Sequence, residues 1–158
     1  MKKFAFIFVV LFGFVLSLTA QEREVKLKIV QTSDVHGNYY PYNFITQKDW
    51  AGSLARVHAF VRKKREIYKD NLILLDNGDI LQGQPTAYYY NYIDTVSPHL
   101  CAEMMNYMGY DAGNMGNHDV ETGRRVFDRW ISECNFPVLG ANIIDTATGE
   151  THLKPYKV

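Results

Sequence analysis

The segment Leu-Ile-Leu-Leu-Asp-Asn-Gly-Asp at residues 72–79 decides most of what the sequence says about the fold. Its first four residues are apolar without alternation, a pattern typical of a strand that is buried on both faces of a parallel sheet. Polar residues and a glycine follow directly, so the strand ends in a loop. In open sheets with helices on both sides, ligands bind beyond the carboxyl ends of the strands.

Strand and helix patterns alternate on both sides of this segment. Further strands are predicted at 25–31, 111–115 and 137–141, and helices at 51–69, 97–108 and 121–134, with Ser97 as the N-cap of the second helix. The aromatic stretch 39–50 shows no period and is predicted to be irregular, whereas 86–93 fits either a strand or a helix. The order β-α-β-α-β-α-β predicts an α/β layered domain.

Residues 1–20 predict a secretory signal peptide. Lys2 and Lys3 precede an uncharged apolar run at 4–18, and Ala20 offers a small residue before the cleavage point. An uncleaved membrane anchor is the alternative, although the fifteen-residue run is shorter than the roughly 20 residues that span a bilayer. We therefore expect residues 21–158 to form the mature chain, exported to the periplasm or the extracellular space, without a stable membrane anchor.

The charges are balanced, with 17 basic and 17 acidic residues. Because no broad positive field results, no nucleic-acid partner is expected. The basic run at 62–65 is interpreted as the solvated face of a helix. Cys101 and Cys134 lack a CxxC partner and are interpreted as two separate core thiols, with a disulfide as the alternative that export permits.

Three clusters of metal-seeking or proton-handling residues follow predicted strands: Asp34 and His36, then Asp79, then Asn117 and His118. Carboxylate, imidazole and amide groups are ligands of divalent cations. Asp34 and His36 are two residues apart, so on an extended loop their side chains can point the same way. Each cluster alone also fits ordinary turn chemistry. The three clusters together predict a metal site of the kind that hydrolyses phosphate esters.

His118 is adjacent to Asn117 and is therefore expected to face elsewhere, towards the substrate. An imidazolium there would stabilise charge on a transferring phosphoryl group or protonate the leaving oxygen. Asp119 or Glu121 is expected to orient its ring. Asp76 is either a polar partner behind the ligands or simply the polar end of its strand.

In this order, the motifs D-x-H, G-D and G-N-H-D resemble the pattern of the calcineurin-like metallophosphoesterases. Residues 76–79, followed by Gln-Gly-Gln-Pro at 82–85, are similar to the branch of secreted 5′-nucleotidases and 2′,3′-cyclic-nucleotide 2′-phosphodiesterases. The resemblance covers nearly all of residues 26–158. It implies an α/β layered sandwich of the metallophosphoesterase type that is incomplete in this chain. The family's further metal ligands and its C-terminal nucleotide-binding domain would lie beyond residue 158.

The resemblance also implies roles for individual residues. Asp34 and His36 would bind a first metal ion, and Asp79 would bridge both ions. Asn117 would bind the second ion. His118 would act at the transition state, paired with Glu121 where the family has an aspartate.

The implied cofactors are two divalent ions such as zinc or manganese, and the implied substrate is a nucleotide or another phosphate ester, attacked by a metal-held water. The whole would be a dinuclear metal-dependent phosphoric ester hydrolase. Because four ligands cannot hold two ions tightly, this chain by itself is expected to be inactive. The alternative is a non-catalytic metal- or nucleotide-binding module that retains the fold.

Overall fold

The computed structural model describes residues 24–157. The strands are β1 (Lys28–Thr32), β2 (Tyr42–Asn43), β3 (Lys48–Asp49), β4 (Leu72–Asp76), β5 (Gly113–Asn114) and β6 (Val138–Leu139). The helices are α1 (Leu54–Tyr68), α2 (Pro85–Tyr88), α3 (Leu100–Met108), α4 (Asn117–Glu121) and α5 (Arg124–Glu133), with a 3-10 turn at Lys69–Asn71 and a π-helical turn at Tyr89–Ile93. The predicted signal peptide lies outside the described residues. Between residues 24 and 157, no helix is both long and apolar enough to cross a membrane.

A parallel sheet carries the fold. β1 pairs in parallel with β4, and Thr32 lies opposite Asp76 at their carboxyl ends. β5 pairs in parallel with β6, and an isolated parallel bridge between Leu75 and Ala112 joins the two pairs. The strand order is therefore β1–β4–β5–β6, which confirms the predicted α/β class. Because the strands are parallel, the loops that follow β1, β4 and β5 meet at one edge of the sheet.

Helices pack against the sheet and enclose an apolar core. Leu54 and Val61 of α1, Met105 of α3 and Trp130 of α5 are fully buried together with Leu74 of β4. Apolar residues that recur at helical spacing place one side of each helix against the core. The predicted positions of the main helices are confirmed by this packing.

Two predicted helix boundaries are wrong. The second helix begins at Leu100 with His99 as its N-cap, not with Ser97, and ends at Gly109 in the left-handed conformation. The predicted helix at 121–134 is in fact two helices, because Gly123 has a φ of +89° and separates α4 from α5. Glu121 therefore ends a short helix instead of opening a long one.

Several segments are more ordered than the sequence suggested. The stretch 39–50 contains the antiparallel hairpin β2–β3, and 86–93 is helical.

Arg65, in the basic run, is not freely solvated, because its guanidinium donates to the carbonyls of Met108 and Gly109 at the end of α3. Cys101 is buried, Cys134 is partly buried, and both are free thiols, as predicted.

Candidate active site

Main-chain hydrogen bonds hold the loop after β1 against the loop after β4. Asp34 N–H donates to Gly78 O at 3.0 Å, and His36 N–H donates to Asp79 O at 2.9 Å. Asp34 and His36 have φ values of +54° and +49°, so the predicted extended loop is wrong. The side chains nevertheless converge, because these hydrogen bonds fix both residues against the neighbouring loop.

The converging side chains form a group of potential metal ligands. Asp34, His36 and Asp79 each offer a ligand atom, and these atoms all lie within 4.8 Å of one another. His36 Nδ1 lies 3.3 Å from the carbonyl oxygen of Gln82, which can only accept a hydrogen bond. In that hydrogen bond Nδ1 carries a proton, and in the corresponding neutral tautomer Nε2, 3.9 Å from Asp34 Oδ1, has the lone pair that a cation needs. Two carboxylates and a neutral imidazole fit a divalent cation.

Two glycines let the loops after β4 and β5 approach closely. A Cβ on Gly78 would lie 2.2 Å from Gly116 N, and a Cβ on Gly116 would lie 2.0 Å from Asp79 Oδ1. Gly78 also has a φ of +94°, which residues with a side chain rarely adopt. The sequence indicated the turn at Gly78. Its contact with Gly116 joins residues far apart in the chain and could not be predicted from local pattern.

The third cluster lies in α4, at the same edge of the sheet. His118 N–H donates to Asp79 Oδ1 at 2.9 Å, and the His118 ring centroid is 5.3 Å from that of His36. Asn117, the exposed first residue of α4, directly precedes it. The predicted loop at this position is thus a short helix, and it brings an imidazole beside the ligand group.

Glu121 orients the ring of His118. Its Oε2 lies 2.8 Å from His118 Nδ1, and Gln82 Nε2 donates to the same oxygen at 3.3 Å. The hydrogen bond to Glu121 raises the pKa of His118 above its ordinary value. The hydrogen bonds from His118 and then Gln82 lower the pKa of Glu121. Both shifts favour an imidazolium–carboxylate pair.

Asp119, the alternative partner of that ring, has a different role. Its side chain is fully buried and accepts four main-chain N–H groups at 2.8–2.9 Å, from Asp79, Ile80, Leu81 and Gly116. Burial raises the pKa of Asp119, and these hydrogen bonds oppose the rise. Asp119 therefore ties the loop after β4 to the start of α4. It is the third residue of α4, where an acidic side chain often bonds back to the main chain, a signal that could have identified this role.

Asp76 supports the site from inside the sheet. It accepts from Thr32 Oγ1 at 2.6 Å and from Gly78 N–H at 2.9 Å. Burial raises the pKa of Asp76 to about 6. Of the two interpretations of Asp76, the inner polar partner is correct, because its carboxyl holds the turn that precedes Asp79.

The three other histidines are engaged elsewhere. His99 Nε2 lies 2.9 Å from Asn91 Oδ1, His152 Nε2 lies 2.9 Å from Asp128 Oδ1, and the ring of His58 packs against Tyr107. None of them joins the ligand group, as the sequence indicated.

A family model for calcineurin-like phosphoesterases matches residues 27–153. The chain is 36% identical over 142 residues to the trifunctional nucleotide phosphoesterase protein YfkN of Bacillus subtilis, covering 85% of this chain and 10% of that protein. It is 30% identical over 143 residues to a 2′,3′-cyclic-nucleotide 2′-phosphodiesterase/3′-nucleotidase of Yersinia enterocolitica, covering 89% of this chain and 22% of that protein. The chain thus spans only a tenth to about a fifth of the length of these curated relatives.

The fold agrees with the sequence match. The crystal structure of the calcineurin-like phosphoesterase YfkN from Bacillus subtilis matches with a TM-score of 0.76 and 34% identity, over 85% of this chain and 42% of that one. The stretch 27–153 also contains β1 to β6, the ligand group and the His118–Glu121 pair. Since motif order, sequence and fold lead to the same result, the chain belongs to the calcineurin-like phosphoesterase family.

Proposed function

We propose that this chain is part of a hydrolase that cleaves nucleotide phosphate esters with the help of divalent metal ions. The observation that carries the proposal is the convergence of Asp34, His36 and Asp79, with the ring of His118 beside them. Relatives named as a nucleotide phosphoesterase and a cyclic-nucleotide phosphodiesterase support nucleotides as the substrate class.

Two divalent ions would be held at this edge of the sheet. Asp34 and His36 would bind the first ion, and Asp79 would bridge it to the second. The amide oxygen of Asn117 would bind the second ion. Zinc or manganese suits such a mixture of oxygen and nitrogen donors. When bound, such ions neutralise charge on phosphoryl oxygens and make water more acidic.

His118 would be the catalytic residue that meets the phosphate. Its Nδ1 is engaged by Glu121 at 2.8 Å, so Nε2 is the nitrogen that is left to face a substrate. Because Glu121 favours the imidazolium, Nε2–H would donate to a phosphoryl oxygen or give its proton to the leaving oxygen as the ester bond breaks. Glu121 completes this catalytic pair by holding the ring and its charge in place.

We further propose that the remaining parts of the catalytic unit lie outside residues 21–158. This segment would be the N-terminal portion of the metallophosphoesterase domain. Additional metal ligands and a C-terminal nucleotide-binding domain would follow it in the complete protein, and residues 1–20 would direct its export. The small share of each relative that the chain spans supports this division.

Hydrolysis by the complete protein and by the isolated segment tests these proposals together. The complete protein, supplied with Mn²⁺ or Zn²⁺, is expected to hydrolyse 5′-AMP or a 2′,3′-cyclic nucleotide, measured as product released. Residues 21–158 alone are expected to show no turnover. Robust turnover by the isolated segment would contradict the proposed position of the missing ligands. A complete protein that binds metal and nucleotide without turnover would favour the non-catalytic binding module.

Metal binding provides a separate test that does not depend on turnover. In the complete protein, Asp79→Asn is expected to weaken Mn²⁺ binding by at least about tenfold, measured by calorimetry, because one shared carboxylate is lost. Asp70→Asn is the matched control, since Asp70 is exposed and precedes β4 at the opposite edge of the sheet. Equal affinities in the two variants would contradict the assigned ligand role of Asp79.

A further inference from the structure

The carbonyl groups of residues 78–82, in the loop after β4, all accept hydrogen bonds. Four of them accept from donors in residues 34–39, the loop after β1, at 2.9–3.3 Å. The carbonyl of Leu81 is different, because it accepts from the side-chain nitrogen of Asn91 at 2.7 Å. Asn91 belongs to neither loop. The loop that carries Asp79 is therefore held by the loop after β1 and, independently, by Asn91.

A π-helical turn brings Asn91 into the interior. The turn, Tyr89–Ile93, continues α2 directly, and Asn91 is only 6% exposed. Turns of this kind are rare and frequently occur at functional sites. The guanidinium of Arg129 in α5 donates to the carbonyl of Tyr90 at 2.8 Å, so the main chain beside Asn91 is held as well.

His99 fixes the orientation of the Asn91 amide. A carbonyl oxygen can only accept a hydrogen bond, so the amide nitrogen of Asn91 faces Leu81 and its oxygen faces His99. His99 Nε2 lies 2.9 Å from that oxygen and therefore donates to it. The side chain of His99 is fully buried, and its main-chain N–H donates to the carboxylate of Glu133 in α5. Both ends of the Asn91 amide are thus engaged by groups that are themselves held.

We propose that Asn91 is a positioning residue for the candidate metal site, and that His99 acts with it by setting the direction of its amide. The proposal rests on the proposed function, because it assumes that His36 binds a divalent ion. Asn91 holds the Leu81 carbonyl and so fixes the peptide that joins Leu81 to Gln82. The next carbonyl, that of Gln82, meets His36 Nδ1 at 3.3 Å and orients the ring of this ligand.

Gln82 extends the effect to the proposed catalytic pair. Its Nε2 donates to Glu121 Oε2 at 3.3 Å, and the same oxygen lies 2.8 Å from His118 Nδ1. A displacement of residue 82 therefore disturbs a metal ligand and the His118–Glu121 pair together. In the described part of the chain, neither Asn91 nor His99 hydrogen-bonds to a side chain of the ligand group, so both act through the loop.

Asn106 offers a matched control for a purely structural role. Its amide also joins two main-chain groups, because Nδ2 donates to Glu133 O and Oδ1 accepts from Asn135 N–H, both at 2.8 Å. The bond goes to the main chain of Glu133 and not to the carboxylate that engages His99. Asn106 is partly buried near the end of α3, and its partners lie outside the loops after β1 and β4. Loss of its amide is therefore expected to lower stability without changing the site.

The first test measures Mn²⁺ binding to the complete protein by calorimetry, well below the unfolding temperature. Asn91→Leu keeps a side chain of similar size and removes both hydrogen bonds of the amide. The affinity for Mn²⁺ is expected to fall at least about fivefold, since a partner that orients a metal-binding histidine commonly contributes about tenfold or more and Asn91 acts one step farther away. Asn106→Leu is expected to leave this affinity unchanged.

Two variants of His99 test the direction of the amide. His99→Leu leaves Asn91 Oδ1 without its donor and is expected to weaken Mn²⁺ binding as Asn91→Leu does. His99→Gln supplies an amide N–H in place of Nε2–H and is expected to restore binding close to that of wild type. Absence of this rescue would overturn the part assigned to His99. If Asn91→Leu does not fold, the comparison of His99→Leu with His99→Gln decides the proposal.

Hydrogen exchange in the metal-free protein gives a readout that does not depend on the proposed function. Exchange at residues 78–82, followed by mass spectrometry, is expected to be faster in Asn91→Leu than in wild type and in Asn106→Leu. Equal losses of Mn²⁺ affinity in the two asparagine variants, or no loss in Asn91→Leu, would overturn the positioning role. If the wild-type protein binds no Mn²⁺, the proposed function fails. Faster exchange confined to Asn91→Leu then still supports the positioning of the loop, and equal exchange overturns it.

Discussion

Asp119 and Glu121 are two positions apart in α4 and bind different partners. Asp119 turns inward and satisfies four main-chain N–H groups, whereas Glu121 turns outward and meets His118 Nδ1 at 2.8 Å. Residues three apart on a helix share a face, so the longer glutamate side chain still reaches the ring. Glu121 and His118 therefore form a carboxylate–imidazole pair.

The charge of Glu121 is expected to set the pH range of the reaction. Its hydrogen bond raises the pKa of His118, so the protonated ring persists to higher pH than for an ordinary histidine. Glu121→Gln removes the negative charge and lowers the pKa of His118. If the imidazolium acts in catalysis, the alkaline limb of kcat/KM against pH moves to lower pH in this variant.

Glu103→Gln controls for a general change in surface charge, because Glu103 is exposed in the first turn of α3. The pH profile of this variant is expected to match that of wild type. An alkaline limb that stays in place in Glu121→Gln would mean that another group titrates there.

At the scale of elements, the approach of the loop after β4 to the start of α4 depends on glycine. Gly78→Ala would place a methyl group 2.2 Å from Gly116 N at a residue with φ of +94°. We expect the variant to lose about 3 kcal/mol of unfolding free energy, combining left-handed strain with overpacking. Chemical denaturation of the metal-free protein measures this loss.

Comparison with Gly123→Ala separates the cost of the contact between position 78 and Gly116 from the cost of backbone strain. Gly123 has a similar φ of +89°, but a Cβ there would meet nothing within 4 Å. Its substitution is expected to cost only backbone strain, about 1–2 kcal/mol, because residues with a Cβ rarely adopt its φ of +89° and ψ of 155°. Equal losses in the two variants would show that backbone strain, and not the contact with Gly116, limits position 78.

The order of the main elements was predictable because apolar residues recur at helical spacing in the helices, whereas residues 72–75 of β4 are an uninterrupted apolar run. Residues 72–75 and the pattern ending at Met108 and Gly109 were located correctly for this reason. The break at Gly123 was missed because Val126 and Trp130 continue a helical pattern beyond it. The N-cap at His99 was missed because Ser97 has the stronger local preference, and because the carboxylate that accepts from His99 N–H belongs to Glu133 of α5.

The candidate site was predictable in its residue types and not in its conformation. Parallel strands bring their carboxyl ends together, so the convergence of Asp34, His36 and Asp79 followed from topology. The left-handed backbone at Asp34 and His36 depends on hydrogen bonds to residues 78–80, which local sequence does not encode. The positioning roles of Asp119 and Gln82 likewise arise from contacts about forty residues apart.

At the scale of the whole molecule, two buried titratable groups make contributions to the unfolding free energy that change with pH in opposite directions. Burial lowers the pKa of His99 to about 4, from 6.5, and raises the pKa of Asp76 to about 6, from 3.8. The stability that the neutral His99 contributes is complete above pH 6.5 and is lost as pH falls to 4. The stability that the protonated Asp76 contributes is complete below pH 3.8 and is lost as pH rises to 6.

Each contribution is on the order of 3 kcal/mol, at about 1.36 kcal/mol per pKa unit. Because their signs are opposite, they nearly cancel between pH 4 and 6, and single variants should expose each slope. Relative to wild type, His99→Gln is expected to lose stability as pH rises from 4 to 6, and Asp76→Asn is expected to gain it. Urea denaturation of the chelator-treated proteins at pH 4, 5, 6 and 7 measures these differences in unfolding free energy. Because each variant is compared with wild type at the same pH, the contributions of the other titratable groups, which all three proteins share, cancel. Parallel stability curves for the three proteins would mean that neither group titrates abnormally, and slopes of the same sign in both variants would contradict the opposition between them.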